Sequence, residues 1–383
     1  MQTIIEHRDI LFFSTMKMTD LPTRKQRIAS ILAENNRVVY VDPPVTMLGK
    51  MKAEYSRSLP DLPEGNGLTT LDLPVLWPFG LKYPLFHTLN ELRVAHTLAR
   101  WCKKNHFHPT LLWTYLVDFP GVYETFQDAV LVYDCVDDHA VYGGLRSKDY
   151  IRQLENRLLK NADVCFCTSA ILRERLSKVK PDVQLITNGV DLALFQNPPT
   201  SVPEDIASIP KPIFGYFGAI KSWFDIDLIK QAALQFPTYS FVLVGPYDEA
   251  IRKQADTLPN IHWLGKKEYA SAPSYIRQFD VCMIPFLQNE LTLSVSPLKF
   301  YEYMAMGKPV ISIPMEQLLP YASDCVLYKD QEQFLRYLPG MLLDNETDKV
   351  TRRKQIAQSN DWQLKFTTMF TSVNQRGGSF DSH

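Results

Sequence analysis

Short apolar runs rich in Val, Ile, Leu and aromatic side chains recur along this chain, separated by stretches in which apolar residues return at helical spacing. In the first half, Ile10–Ser14, Val38–Asp42, Leu111–Tyr115, Val130–Asp134, Val164–Thr168 and Gln184–Thr187 predict strands, and 22–35, 87–105, 148–160 and 170–178 predict helices. A second alternation predicts strands at Ile213–Phe217, Phe241–Val244, Ile261–Leu264, Val281–Pro285, Val310–Ile313 and Val326–Tyr328, with helices between. The tail, 347–373, predicts helix with a break at Asn360 and Asp361. Continuous apolar runs that alternate with helices suit parallel strands covered on both faces. The Pro-rich stretch from Gln196 to Pro212 reads as a hinge. The expectation is an α/β chain of two doubly wound, Rossmann-like domains facing a central cleft. Residues 1–196 form the first domain, 197–211 the hinge, 212–360 the second domain, and 361–383 a returning helix and tail. In such folds ligands sit at the carboxyl ends of the strands.

Composition narrows the function classes. At 383 residues, with 45% hydrophobic and 22% charged residues, the chain can build two cores. A formal charge of −1 provides no basic field for nucleic acid. The six cysteines lack paired CxxC spacing, and Cys135, Cys165, Cys167 and Cys282 fall in strand-like runs, so reduced, buried thiols are expected. Cys165 and Cys167 share one strand face, which packing explains more simply than zinc. Met1–Arg8 is polar and Ile10–Phe13 is too short for a signal sequence, so a cytoplasmic location is expected. Leu71–Phe86 is rich in Leu, Trp, Phe and Tyr, but Asp72, Lys82 and prolines interrupt it, so it cannot span a bilayer. Trp77, Lys82, Tyr83, Arg93, Arg100, Trp101, Lys103 and Lys104 gather aromatic and basic groups over 77–104. That mixture suits peripheral contact with the inner face of a cell membrane, against the plainer reading of a solvated amphipathic helix. His106-Phe-His108 reads as a surface turn rather than a metal site.

The most informative stretch runs from Phe279-Asp-Val-Cys-Met-Ile-Pro-Phe286 through Pro297-Leu-Lys-Phe-Tyr-Glu302 to Ala305-Met-Gly-Lys-Pro-Val-Ile-Ser-Ile-Pro314. It reads as strand, loop, helix, strand. Ser296 and Pro297 open the helix, whose N-terminus favours an anion. Lys299 adds a full charge, and Glu302 lies three residues on, on the same face. Phosphate on the helix end and Lys299, with a ribose on Glu302, is the reading that absorbs all four residues. A surface Lys–Glu pair on an ordinary crossover is the bland alternative. Ile213-Phe-Gly-Tyr-Phe-Gly218-Ala-Ile-Lys221 adds a glycine where a pyrophosphate could approach and a lysine to neutralise it.

These residues resemble the donor segment of GT-B glycosyltransferases. The likeness is to family 4-type enzymes and to bacterial polysaccharide glycosyltransferases of the teichuronic-acid or xanthan type. The resemblance assigns the nucleotide ribose to Glu302 and the diphosphate to Gly218, Lys221, Ser296, Pro297 and Lys299. It also places Gly245 and Gly265, which close Phe241-Val-Leu-Val-Gly245 and Ile261-His-Trp-Leu-Gly265, near the nucleotide. A second carboxylate expected eight residues before Glu302 is replaced by Ser294, so the stereochemical outcome stays open. Asn188-Gly189-Val190-Asp191-Leu-Ala-Leu-Phe195 matches a string found before the hinge in such enzymes and reads as architectural.

Leu131-Val-Tyr133-Asp134-Cys135-Val136-Asp137-Asp138-His139 resembles an acidic segment of the polysaccharide enzymes. Sugar transfer needs a base for the acceptor hydroxyl, and an Asp at a strand's carboxyl end can serve. Asp137 is favoured over Asp138, with His139 the other candidate; a helix-capping role or a metal-holding acid pair are the competing readings. The resemblance argues against a metal, since helix dipole and lysine take its place at the leaving group. The function implied is metal-independent transfer of a hexose from a nucleoside diphosphate sugar, UDP-linked by expectation, to a glycan or lipid-linked hydroxyl, with no cofactor. A UDP-sugar 2-epimerase and a non-catalytic nucleotide-sugar-binding subunit share the architecture and are the alternative readings.

Overall fold

The computed structural model describes residues 5–20, 22–47, 65–78, 80, 83–141, 147–289, 292 and 295–377. Lys82 and Ser294 lie outside them. The chain packs as two compact units. The first runs up to Ile186 and resumes at Phe366; the second is Thr187–Lys365.

The first unit is a seven-stranded sheet, ordered β3-β2-β1-β4-β5-β6-β7. Its strands are β1 (Asp9–Phe13), β2 (Arg37–Val41), β3 (Gly67–Leu71), β4 (Pro109–Thr114), β5 (Val130–Cys135), β6 (Val164–Cys167) and β7 (Gln184–Leu185). Every neighbouring pair is parallel. Alternation sorts side chains between the faces. On one, Phe12 stacks between Tyr40 and Trp113, and Phe370 of the helix Trp362–Gly377 meets Trp113 edge-on. On the other, Leu11, Phe13, Val39 and Leu112 join a core with Val94, Leu98 and Trp101 of the helix Pro84–Lys104. The apolar pattern misses β3, because an edge strand of sequence Gly-Leu-Thr-Thr-Leu buries only Thr69 and Leu71.

The second unit is a six-stranded parallel sheet, ordered β10-β9-β8-β11-β12-β13. Its strands are β8 (Ile213–Phe217), β9 (Ser240–Val244), β10 (Ile261–Gly265), β11 (Val281–Ile284), β12 (Val310–Ser312) and β13 (Val326–Leu327). Strand order reverses between β8 and β11, the point at which an open α/β sheet leaves a crevice beyond its strands' carboxyl ends. The loop after β8 carries Gly218, and the connection after β11 leads into the helix Leu298–Ala305, so both flank that point. Both expected sheets are therefore present, each doubly wound.

Candidate active site

In the second unit, the predicted donor residues come together around one carboxylate. Glu302 is 2% exposed, within a helix whose face toward the sheet is apolar. Lys299 Nζ sits 3.2 Å from Glu302 Oε2, and the Tyr269 hydroxyl donates to Oε1 at 2.6 Å. Both carboxylate oxygens are thus engaged, as a buried charge requires. Lys299 also borders Gly218: a side-chain carbon at that glycine would lie 2.7 Å from Lys299 Cε and 2.7 Å from the Tyr216 hydroxyl. Gly218 donates its N–H to Val244 O at 2.8 Å, and its missing side chain lets Lys299 and the Tyr216 hydroxyl close in over the backbone. The adjoining turn is closed by Gly245, at φ +146°, where a side-chain carbon would fall 1.9 Å from the Gly218 carbonyl oxygen. Gly245 in turn donates to Gly265 O at 2.9 Å, which links the ends of β8, β9 and β10. Lys221 is exposed three residues beyond Gly218.

The Asn188–Phe195 string buttresses this site at two places. Ser296 Oγ accepts from the Asn188 N–H at 3.1 Å, and the Asn188 side-chain amide donates to Ser296 O at 2.7 Å. Those bonds fix the chain just before Pro297, the N-cap of the helix Leu298–Ala305. Phe195 packs edge-on against Tyr269, with ring centroids 6.2 Å apart. Sequence reasoning passed over Tyr269. A tyrosine shortly after a Leu-Gly strand end carries no motif of its own, and only its contact with Glu302 reveals it.

In the first unit, Asp137, Asp138 and His139 lie on the loop after β5, with different surroundings. Asp134, the last acid of the strand, is fully buried and bound by Arg24 at 2.7 and 2.9 Å and by the Tyr115 hydroxyl at 2.7 Å. Arg24 also donates to Ile186 O at 2.7 Å, which ties β5 to the end of the unit. Asp138 accepts from the Ala140 N–H at 3.0 Å and from Arg152 at 2.5 Å, with Arg175 at 3.7 Å. Burial raises the pKa of its carboxyl, but Arg152 and Arg175 outweigh that and hold it below the usual carboxylate range. Those arginines are shared with fully buried Glu155, which also accepts from the Tyr133 hydroxyl.

His139 is buried beside Asp118, Asp137, Glu155 and Lys25, and burial pushes its pKa below the ordinary value despite the three carboxylates. Its imidazole is accordingly neutral at pH 7 and able to accept a proton. Asp137 is half-buried. Lys25 is a second group the sequence did not flag. It is the second residue of the helix Arg24–Asn35, lies 5.5 Å over the Tyr115 ring, and is pushed below the ordinary lysine range by burial, with Asp137 and Asp134 pulling the other way. Two successive cations in the first turn of a helix run against the helix dipole, and that local mismatch was the available signal.

Residues 211–342 match the family described as Glycosyl transferases group 1. The chain is 28% identical over 381 residues to TuaH, the proposed teichuronic acid biosynthesis glycosyltransferase of Bacillus subtilis (strain 168), covering 90% of this chain and 91% of that one. Among solved structures it resembles sucrose-phosphate synthase from Thermosynechococcus elongatus, with TM-score 0.71 and 17% identity, over 97% of this chain and 100% of the other. It also resembles Anabaena HepE in complex with UDP and glucose, with TM-score 0.63 and 14% identity over 98% and 100% of the two chains. A third neighbour is α,α-trehalose 6-phosphate synthase from Burkholderia multivorans, at 0.67 and 13% over 97% and 99%. At these identities the structural likeness speaks for the fold. Taken together, these matches support a GT-B glycosyltransferase whose second unit carries a glycosyl transferases group 1 domain.

Proposed function

We propose that the protein transfers a hexose from a UDP-linked donor to a hydroxyl of a glycan or lipid-linked acceptor in polysaccharide or glycoconjugate synthesis. In this reading the second unit holds the donor and the first the acceptor, on the cytoplasmic side of a membrane. The observation that carries it is the buried Glu302, held by Lys299 and Tyr269, with Lys299 packed against Gly218 at the sheet's switch point. HepE was solved with UDP and glucose and with UDP-glucose, which favours uracil for the base. The likeness to TuaH, a proposed glycosyltransferase of teichuronic acid biosynthesis, favours a role in polysaccharide synthesis.

Glu302 takes the ribose hydroxyls, exchanging one of its present partners for them. Lys299, Lys221 and the helix end at Ser296 and Pro297 take the diphosphate, with Gly218 letting Lys299 close in beside it. Gly245 and Gly265 shape the loops beside the nucleotide. As the acceptor oxygen bonds to the anomeric carbon, the bond from that carbon to the diphosphate oxygen breaks. The acceptor proton passes to Asp137, or to His139 beside it, and the new phosphate charge falls on Lys299 without a metal. Asp138, committed to Arg152 and Arg175, shapes the loop.

The test is a thermal-shift screen with UDP, GDP and TDP, followed by Lys299→Ala. Stabilisation by UDP that Lys299→Ala abolishes supports the donor assignment, and no stabilisation by any nucleotide sinks it. Turnover of UDP-sugar that yields an epimer without acceptor would replace transfer by isomerisation.

A further inference from the structure

The helix Pro84–Lys104 is turned inside out along its N-terminal half. Its buried positions there are polar. His87 Nε2 lies 2.5 Å from Asp118 O, Glu91 Oε1 accepts from the Gly121 N–H at 2.7 Å, and Asn90 bonds both ways to the Trp77 backbone at 2.8 and 3.1 Å. The opposite face presents Leu85, Leu89 and Leu92, which are 70%, 45% and 63% exposed. Their spacing of four and three residues aligns them in one outward row. The ordinary arrangement returns further on, where Val94, Leu98 and Trp101 are buried.

Past Leu92 the same outward row continues as His96, Arg100 and Lys103, all exposed. Arg93 and Lys104 are exposed as well. Glu91, the helix's single acid, is 8% exposed and faces inward. The outer surface therefore carries its leucines at one end and Arg100, Lys103 and Lys104 at the other with no acid among them, in a chain of net charge −1. Trp77, pinned by Asn90, is 45% exposed next to the apolar end.

We propose that this face seats the protein on an anionic lipid bilayer. Leu85, Leu89 and Leu92 enter the boundary between headgroups and acyl chains, and Arg100 and Lys103 lie on the phosphates. Water alone gives no reason to expose three leucines while burying three polar groups behind them. A second copy fits poorly: antiparallel pairing sets leucines against cations, and parallel pairing sets cations against cations. The inference deepens the membrane side of the proposed function and rests on that reading for its purpose, though not for the chemistry of the face.

The test is sedimentation of the full chain with vesicles of equal phosphatidylglycerol and phosphatidylcholine, and with phosphatidylcholine alone. Binding is expected to the first, and to weaken as salt rises. Each basic residue near an anionic surface strengthens attachment about fivefold, so Arg100→Gln with Lys103→Gln should weaken it about thirtyfold. Leu89→Ser with Leu92→Ser should weaken it by about tenfold or more. Both variants change exposed side chains and should keep the UDP-induced thermal shift. Absence of binding to anionic vesicles, or equal binding by all three proteins, overturns the proposal. So does a solution dimer that Leu89→Ser with Leu92→Ser dissolves. Vesicle binding without any UDP shift would sink the donor reading and leave this one standing.

Discussion

The Tyr269 hydroxyl donates to Glu302 Oε1 at 2.6 Å, while its ring packs on Phe195. One side chain thus joins the Asn188–Phe195 string to the carboxylate proposed to read the ribose. Tyr269→Phe removes the hydrogen bond and keeps the packing. A hydrogen bond to a charged group contributes about 1.5–3 kcal/mol to stability, so the variant should melt earlier by that order, and UDP affinity should fall as Glu302 loses the group that orients it. Titration calorimetry with UDP checks this. Unaltered affinity would remove Tyr269, and with it the orientation argument for Glu302.

Gly218 and Gly245 should respond differently to alanine. At Gly218 the new carbon meets the flexible end of Lys299, along with the Tyr216 hydroxyl. The lysine can swing aside but the buried Tyr216, bound to Ala219 O, must shift slightly, so donor affinity should drop with a stability loss smaller than at Gly245. At Gly245 the carbon meets the Gly218 carbonyl at 1.9 Å, and φ is +146°. Neither can relax without moving two strand ends, so Gly245→Ala should lose about 3 kcal/mol or more. Chemical denaturation of the two variants compares them directly. Equal losses would contradict the geometry.

The legible and illegible parts of this chain divide on physical grounds. Central strands such as β1 and β11 are buried on both faces and read as unbroken apolar runs. Gly218, Lys299 and Glu302 stand beside such strands, so their positions could be expected. β3 lies at a sheet edge and carries a weaker signal. Tyr269, Lys25 and Asp118 gain meaning only from neighbours distant in sequence. The helix Pro84–Lys104 teaches a further point: Leu85, Leu89 and Leu92 have core-like spacing, yet periodicity does not say which face turns inward.

Asp137 and Asp138 should separate by what is lost. Asp138→Asn breaks the contacts with Arg152 and Arg175 and leaves Glu155 to hold both, so thermal stability should fall. Because Asp138 has a depressed pKa, its contribution is present above the unfolded value and lost as pH falls through the folded one, below about pH 4. Asp137→Asn should leave melting nearly unchanged and lower turnover by about a hundredfold or more, as removal of a base does. Thermal melts with a coupled assay for released UDP decide between them. Full turnover by Asp137→Asn moves the base to His139.

His139 supplies a pH signature of its own. Its folded pKa lies below the unfolded value of about 6.5 because burial disfavours the imidazolium, even with Asp118, Asp137 and Glu155 nearby. Between the two values the unfolded chain binds a proton that the folded one does not. Stability is therefore undiminished above about pH 6.5 and declines as pH falls below it, toward the folded pKa. His139→Gln removes the titrating group and should flatten that part of the stability curve, leaving the acid limb below pH 4. Urea unfolding of both proteins from pH 7.5 to 5 measures the slope difference. If His139 is also the base, its neutral form persists to lower pH than a free histidine's, and turnover should hold up below pH 6.5. A decline in turnover centred at pH 6.5 or above would show that the acceptor proton does not go to this imidazole.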